Sequence, residues 1–303
     1  MHKLTGVITA VVSPMFPDGS LDVYSFRNFI EWQVLSGISG LTVTGTTGEV
    51  STLSYEEHIS LVKTTIEQTK GRVPIVVGSG SNSTFEAIHL TQTIKELGAD
   101  FSLQVVPYYN KPTQEGLYKH FKRIAEAVDM NIILYNVASR TGVGLAIDTI
   151  HRLSQIPGIV GIKETSTSML NIYKLLRLKR ELKDKFAVYS GDDSTFLGAS
   201  EIGSNGVISV ISNMIPKSIV NLYLLSRLST GTKDKLKLNN ITSKVFSLCK
   251  LMFIETNPIP VKTILGRIGL INSGIRYPLT HLNYSHCIKI LKVIRDLSNS
   301  LEE

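Results

Sequence analysis

Residues 158–163 read Gly-Ile-Val-Gly-Ile-Lys, an apolar run that ends in a charged side chain. A short apolar run rich in β-branched residues is typical of a strand buried on both faces. A second such run, Asn131–Val137, carries Tyr135. A buried ammonium group is costly, so Lys163 must find a partner or lose its proton. A neutral amine in a dry pocket is a nucleophile for carbonyl compounds, so the two strands together indicate Schiff-base chemistry.

Similar apolar runs recur on both sides of these two strands. Together they predict eight strands: Val7–Val12, Leu41–Thr44, Ile75–Val77, Leu103–Val106, Ile132–Val137, Val160–Lys163, Ala187–Tyr189 and Val207–Ile211. The strand starts lie ~20–35 residues apart, which is the span of one strand, one helix and two turns. Amphipathic segments lie between them, with predicted helix starts at Asp22, Thr113 and Pro216 and at two capping boxes, Ser54 with Glu57 and Ser83 with Glu86.

This alternation predicts an α/β fold, a (β/α)8 TIM barrel with a C-terminal helical extension. A doubly wound open sheet is the competing topology, but it usually has a phosphate-binding loop after its first strand. Val12-Ser13-Pro14 is not such a loop. Because Ser229-Thr230-Gly231 reads as a break, we predict the barrel with the active site over 1–228 and the helical extension over 229–303.

Composition and charge disfavour metal-binding, redox, nucleic-acid-binding and membrane-spanning proteins. The chain carries a net charge of +7 and contains 2 cysteines, neither in a metal-spaced or redox motif. The basic cluster 174–185 is interleaved with leucines at helical spacing, so a solvated helix face is favoured over a nucleic-acid site. No segment approaches the ~20 apolar residues needed to cross a bilayer. We therefore expect a cytoplasmic enzyme that binds neither nucleic acid nor membrane and uses no metal and no cofactor.

Polar residues gather where the strands end, which is where TIM barrels place their catalytic groups. The clusters are Gly45–Glu49, Pro107–Pro112, Tyr135-Asn136 with Ser139–Gly142, Lys163–Thr165 and Ser190–Asp193. Gly45–Glu49 could be a simple turn, but its backbone N–H groups and hydroxyls also suit a carboxylate. Lys163 could pair with Glu164, although successive strand residues point to opposite faces and disfavour that pair.

On these motifs the chain resembles the dihydrodipicolinate synthase / N-acetylneuraminate lyase family of pyruvate-dependent class I aldolases and lyases. The motifs are Gly45-Thr46-Thr47-Gly48-Glu49, Tyr108-Tyr109-Asn110-Lys111-Pro112, Tyr135-Asn136-Val137 and Gly161-Ile162-Lys163-Glu164. Arg140, in Ser139-Arg140-Thr141-Gly142, makes the likeness greater to the synthase branch than to the sialic-acid lyases. The alternative is a lyase or aldolase that acts on sialic acid or another keto-sugar acid.

The resemblance implies a condensation of pyruvate with L-aspartate 4-semialdehyde in the biosynthesis of diaminopimelate and lysine. It implies that Lys163 forms an imine with pyruvate and that the catalytic set is Lys163, Tyr135, Tyr109 and Thr46. It also implies substrate contacts from Thr46, Thr47, Arg140, Gly191 and Ile208. Tyr135 would relay protons, with Tyr109 reaching in from a neighbouring subunit.

The resemblance further implies a homotetramer built as a dimer of dimers. Many members are inhibited by L-lysine at a subunit interface, and the matching positions here are Ser51, His58, Asn82, Glu86 and Tyr108. Val50 and Tyr55 depart from the lysine-sensitive pattern. Because the five other positions match, L-lysine is still expected as a feedback inhibitor.

Overall fold

The computed structural model describes residues 4–227, 242–243 and 245–301. Eight parallel strands close into a barrel in sequence order, and the last strand pairs with the first. The strands are β1 Gly6–Ala10, β2 Gly40–Val43, β3 Ile75–Gly78, β4 Phe101–Val105, β5 Asn131–Asn136, β6 Ile159–Glu164, β7 Ala187–Ser190 and β8 Gly206–Ser209. The predicted (β/α)8 barrel is confirmed.

Helices follow the strands around the barrel. They are α1 Val23–Leu35, α2 Tyr55–Thr69, α3 Thr84–Glu96, α4 Gln114–Ala127, α5 Ala138–Thr141, α6 Ile147–Ser154, α7 Met169–Glu181, α8 Phe196–Glu201 and α9 Pro216–Arg227. Beyond the barrel, residues 245–251 are helical, followed by α10 Ile259–Arg267 and α11 Tyr284–Leu301. The predicted boundary between 228 and 229 lies outside the described residues, so the division of the chain there stays a prediction.

Local capping explains where several helices begin. Ser54 and Glu57 form the predicted capping box at the start of α2. Ser83 does cap α3, but the carboxylate of Glu86 accepts a hydrogen bond from the Ser81 hydroxyl at 2.7 Å instead of reaching back to Ser83. The predicted second capping box is therefore wrong, because a nearer hydroxyl takes the carboxylate. The other predicted helix starts are confirmed at Asp22, Thr113 and Pro216.

The strand register brings Tyr135 and Lys163 side by side. Tyr135 on β5 is the register partner of Lys163 on β6, and Lys163 is in turn the partner of Tyr189 on β7. Because side chains alternate along a strand, partners at the same register lie on the same face. Tyr135 and Tyr189 belong to the apolar cluster that includes Ile8 and Ile208.

The surface of α7 carries most of the basic cluster 174–185. Lys174 and Arg177 are exposed, whereas Leu175 and Leu178 are buried. The predicted solvated face is confirmed. Among the described residues, no helix is long and apolar enough to cross a membrane.

The segment after the barrel is bound to the loop that follows β2. Lys262 of α10 forms an ion pair with Glu49, and both side chains are buried. The backbone N–H of Arg276 donates to the same carboxylate at 3.2 Å. The Arg276 guanidinium binds both carboxylate oxygens of Glu57 at 2.6 Å each. The segment after the barrel therefore fixes the position of the loop that follows β2, at the carboxyl ends of the strands.

Candidate active site

A cavity of about 900 Å³ opens at the carboxyl ends of the strands. Cavities of this size suit small-molecule ligands. It is lined by predicted site residues from four parts of the barrel: Thr46 and Thr47 after β2, Tyr135 and Arg140 on and after β5, Lys163 on β6, and Gly191 after β7. The structure therefore brings together six of the residues that the sequence singled out.

Lys163 lies beside Tyr135 in the wall of this cavity. Its Nζ is 4.4 Å from the centroid of the tyrosine ring, and the two residues are only 7% and 8% exposed. Within the described residues, no carboxylate lies within ion-pair distance of the Lys163 ammonium position. A buried amine with an aromatic neighbour and without a carboxylate partner is suited to covalent chemistry with a carbonyl.

Glu164, the next residue along β6, has its own partners. Its carboxylate accepts hydrogen bonds from Asn136 Nδ2 and from the backbone N–H of Ser166, both at 2.7 Å. Burial raises the pKa of the Glu164 carboxyl, and these hydrogen bonds oppose the shift only in part. The alternative of an ion pair between Glu164 and Lys163 is therefore excluded by the geometry.

Gly191 follows β7 and lies against the reactive lysine. A Cβ atom at this position would lie 2.8 Å from Cε of Lys163 and 2.7 Å from Cγ2 of Thr165. These distances are shorter than van der Waals contact, so only glycine leaves the Lys163 side chain its present path.

Thr46 and Thr47 form a tight turn after β2, in a short 3-10 helix over Thr46–Gly48. Thr47 is buried, and its hydroxyl oxygen accepts a hydrogen bond from Asn257 Nδ2 at 3.1 Å. Glu49 ends the turn with a left-handed backbone, at φ 55°. The turn interpretation of Gly45–Glu49 is thus correct for the backbone, and the two threonines still border the cavity.

Arg140 lies in α5, immediately after β5, and its side chain is exposed at the cavity rim. Nη2 donates to the backbone carbonyl of Asn257 at 3.3 Å. A guanidinium group has five N–H donors in a planar fork. In the described residues this is the one hydrogen bond of the Arg140 side chain, so donors remain for a carboxylate.

Two predicted site residues lie outside the cavity wall. Tyr109 is 90% exposed and has a left-handed backbone, at φ 71°. Ile208 is fully buried in the barrel interior with Tyr135, and Val210, two residues further on, lines the cavity instead. The roles of Tyr109 and Ile208 stay predictions.

The residues predicted to bind lysine are brought together in part. Asn82 Nδ2 donates to the backbone carbonyl of Tyr108 at 3.2 Å, and the Tyr108 side chain is partly exposed. Glu86 lies in the first turn of the helix that follows Asn82. His58 is buried, which lowers its pKa to about 4, and Ser51 is exposed. No hydrogen bond in the described residues joins the side chains of Ser51 or His58 to the other three.

Sequence reasoning missed several residues that line the cavity, among them Gln114, Lys174 and Asn257. Gln114 donates to the Gly144 carbonyl at 2.8 Å and accepts from the Ala146 N–H at 2.9 Å, so it braces the loop after α5. Lys174 was interpreted only as part of a basic helix face. Asn257 precedes a proline and reads as an ordinary turn residue, so no local signal separates it from a structural one.

Comparison with known proteins identifies the family of the chain. The model of the dihydrodipicolinate synthetase family matches residues 3–297. The chain belongs to the dihydrodipicolinate synthetase family. The 4-hydroxy-tetrahydrodipicolinate synthase of Dechloromonas aromatica is 44% identical over 292 residues, which are 96% of this chain and 98% of the relative.

Two similar solved structures contain a bound ligand. The chloride-inhibited dihydrodipicolinate synthase of Acinetobacter baumannii, complexed with pyruvate, is 44% identical with a TM-score of 0.91; the match covers 97% of this chain and 99% of that one. The dihydrodipicolinate synthase of Cyanidioschyzon merolae with lysine bound is 33% identical with a TM-score of 0.91, and the match covers 98% of this chain and 99% of that one.

Proposed function

We propose that this chain condenses pyruvate with L-aspartate 4-semialdehyde through a Schiff base, as a 4-hydroxy-tetrahydrodipicolinate synthase. The observation that carries the proposal is Lys163. It is an amine in the wall of the barrel cavity, 7% exposed, beside Tyr135 and without a carboxylate partner among the described residues. The names and pyruvate-bound state of the relatives support the same reaction.

In the first half-reaction, Lys163 Nζ attacks the C2 carbonyl of pyruvate, water leaves, and an imine forms. The hydroxyls of Thr46 and Thr47 hold the pyruvate carboxylate. Tyr135, whose ring centroid lies 4.4 Å from Nζ, moves protons to and from the reacting centre. Loss of a proton from C3 then converts the imine to an enamine, with the imine nitrogen as the electron sink.

In the second half-reaction, the enamine carbon attacks the aldehyde of L-aspartate 4-semialdehyde. The unused N–H donors of Arg140 bind the carboxylate of this substrate. The substrate's own amine then attacks the imine carbon, displaces Lys163 and closes the ring. Lys163 is released as the free amine, so the enzyme returns to its starting state.

Tyr109 supports the proposal of an oligomer, because its side chain is 90% exposed on the isolated chain. We propose that Tyr109 completes the proton relay in a neighbouring subunit and that the protein is a homotetramer made from two dimers. An isolated subunit would then lack one member of the catalytic set.

We also propose that L-lysine binds near Asn82, Glu86 and Tyr108, at a subunit interface. The lysine-bound state of the relative from Cyanidioschyzon merolae supports this regulation.

We propose a cytoplasmic location for the protein. Cys249 and Cys287 are free and buried, which accords with this location, because reducing compartments keep such thiols unpaired.

The test is the consumption of pyruvate by the purified protein, measured with and without L-aspartate 4-semialdehyde. We expect consumption to depend on the semialdehyde, and borohydride to trap pyruvate on the protein. Trapping without semialdehyde-dependent turnover, together with cleavage of N-acetylneuraminate or another keto-sugar acid, would replace the proposed acceptor. Absence of trapping would overturn the Schiff-base reaction itself.

Replacement of Gly191 by alanine should slow imine formation without unfolding the protein. The added Cβ would lie within 2.8 Å of Lys163 Cε, so the lysine must shift, and a displacement of about 1 Å costs on the order of 100-fold in rate. The rate of borohydride trapping with pyruvate measures this effect. In the control Gly198→Ala, the new Cβ meets only the flexible end of Met169, at 3.3 Å, and the trapping rate should stay at the wild-type value. Equal rates for the two variants would contradict the assigned contact.

A further inference from the structure

Asn257 lies outside the barrel, two residues before α10 begins at Ile259. It nevertheless lines the active-site cavity and is only 5% exposed. Its backbone and its side chain each contact a different group that borders the cavity. A buried polar side chain in such a place needs a reason, since an amide is costly to bury unless it makes hydrogen bonds.

The side-chain bond has a direction. Asn257 Nδ2 lies 3.1 Å from Thr47 Oγ1, and an amide NH2 group can donate but cannot accept. The Thr47 oxygen therefore accepts, and its own hydrogen is left to donate to another group. In the described residues no acceptor takes that hydrogen, and Thr47 lines the cavity. Asn257 thus leaves the Thr47 hydroxyl as a hydrogen-bond donor toward the ligand.

The backbone around Asn257 is held from both sides. Its carbonyl accepts from Arg140 Nη2 at 3.3 Å. Lys262, in the first turn of α10, pairs with the buried Glu49. Glu49 directly follows the short 3-10 helix that carries Thr47. Oδ1 of Asn257 is buried and has no hydrogen-bond partner in the described residues, so within them the amide makes one polar contact, the bond to Thr47.

We propose that Asn257 is a positioning residue that orients the Thr47 hydroxyl to donate to the carboxylate of pyruvate. This inference rests on the proposed function, since it assigns a role toward that substrate. It gives the helical extension a part in substrate binding: a residue 210 positions along the chain from Thr47 selects which way the hydroxyl points.

Two variants separate this role from simple packing. Asn257→Asp keeps the shape, but a carboxylate only accepts, so the Thr47 hydrogen turns toward the new carboxylate and is lost to the substrate. A hydrogen bond to a charged group corresponds to roughly 10- to 100-fold in affinity. We expect KM for pyruvate to rise by about that factor with little change in kcat, the pattern of lost uniform binding. Asn257→Ala, which leaves the hydroxyl free to rotate, should raise KM less, by about 3- to 10-fold.

The order of the two effects decides between orientation and packing. A purely structural residue would give the reverse order, with the isosteric aspartate nearer to wild type than alanine, and that result would overturn the proposal. The new negative charge is controlled by repeating Asn257→Asp in a Thr47→Val background. If the effect passes through the Thr47 hydroxyl, adding Asn257→Asp to Thr47→Val should change KM for pyruvate by less than about 2-fold. A direct effect of the charge would persist in that background and would overturn the proposal.

The wild-type protein is first tested for borohydride trapping of pyruvate, which is the test of the proposed function. If trapping fails there, the reaction is wrong; if trapping succeeds and both Asn257 variants keep the wild-type KM, only the positioning role is wrong. Asn205→Ala is the matched control, because Asn205 is a buried amide that accepts from the Val188 N–H at 3.0 Å, on the side of the barrel where β8 begins. It should leave KM for pyruvate unchanged, and circular dichroism on all variants confirms that they fold.

Discussion

Replacement of Lys163 by alanine is expected to abolish imine formation with pyruvate and to leave the protein folded. The amine is the nucleophile, and removal of a covalent nucleophile costs on the order of 10⁴- to 10⁶-fold in turnover. Folding should survive, because Lys163 has no carboxylate partner in the described residues that would be left buried and unpaired. The measurement is the mass of the protein after treatment with pyruvate and borohydride, together with turnover.

The matched control for this prediction is Lys174→Ala. Lys174 also lines the cavity, but its side chain is exposed on α7, so it lacks the apolar surroundings of Lys163. The Lys174 variant should still be trapped by pyruvate, with the added mass on the peptide that contains Lys163. Trapping on Lys174, or full activity of Lys163→Ala, would refute the assignment of the nucleophile.

The barrel could be predicted from the sequence because its signals are local. Each strand is a short apolar run, and each observed strand starts and ends within two residues of its predicted bounds. The helix starts at Ser54 and Thr113 follow from capping hydroxyls only three residues from the N–H groups they satisfy. The prediction of a capping box was wrong at Glu86, because the nearby hydroxyl of Ser81 binds the same carboxylate.

Part of the site was equally predictable. A lysine at the end of one apolar strand and a tyrosine on the preceding one together indicated Schiff-base chemistry, and the register places Tyr135 and Lys163 side by side. The rim position of Arg140 followed from the rule that strand ends converge at one edge of the barrel. These inferences needed only the order of the strands and the alternation of side chains.

The remaining contacts depend on parts of the chain that are far apart in sequence. Asn257 lies 210 residues from Thr47 and 117 residues from Arg140, and no periodicity or motif relates such positions. Glu49 was interpreted as part of a carboxylate-binding turn, but its buried side chain does not line the cavity and pairs with Lys262 instead. Tyr109 is exposed on a single chain, and its proposed role needs a neighbouring subunit, which the sequence of one chain does not show.

Replacement of Lys262 by methionine should destabilise the protein by about 3–5 kcal/mol, because it leaves the Glu49 carboxylate buried without its cation. Both residues are almost completely buried, with side-chain exposures of 1% for Lys262 and 0% for Glu49. Burial lowers the pKa of the Lys262 ammonium, and the Glu49 carboxylate opposes that shift. The midpoint of urea unfolding, compared with wild type at equal protein concentration, measures the loss.

The double variant Lys262→Met with Glu49→Gln tests whether the unpaired charge is the cause. Glutamine is neutral and can still accept the N–H of Arg276, which lies 3.2 Å from Glu49 Oε2, so part of the lost stability should return. Removal of the exposed pair Arg177–Glu181 on α7 is the control and should cost no more than about 0.5 kcal/mol. If the double variant is no more stable than Lys262→Met alone, the loss comes from packing around Lys262. If the double variant regains stability but has a KM for pyruvate above the wild-type value, the ion pair also holds the Thr46–Thr47 turn in its binding position, since that turn ends at Glu49.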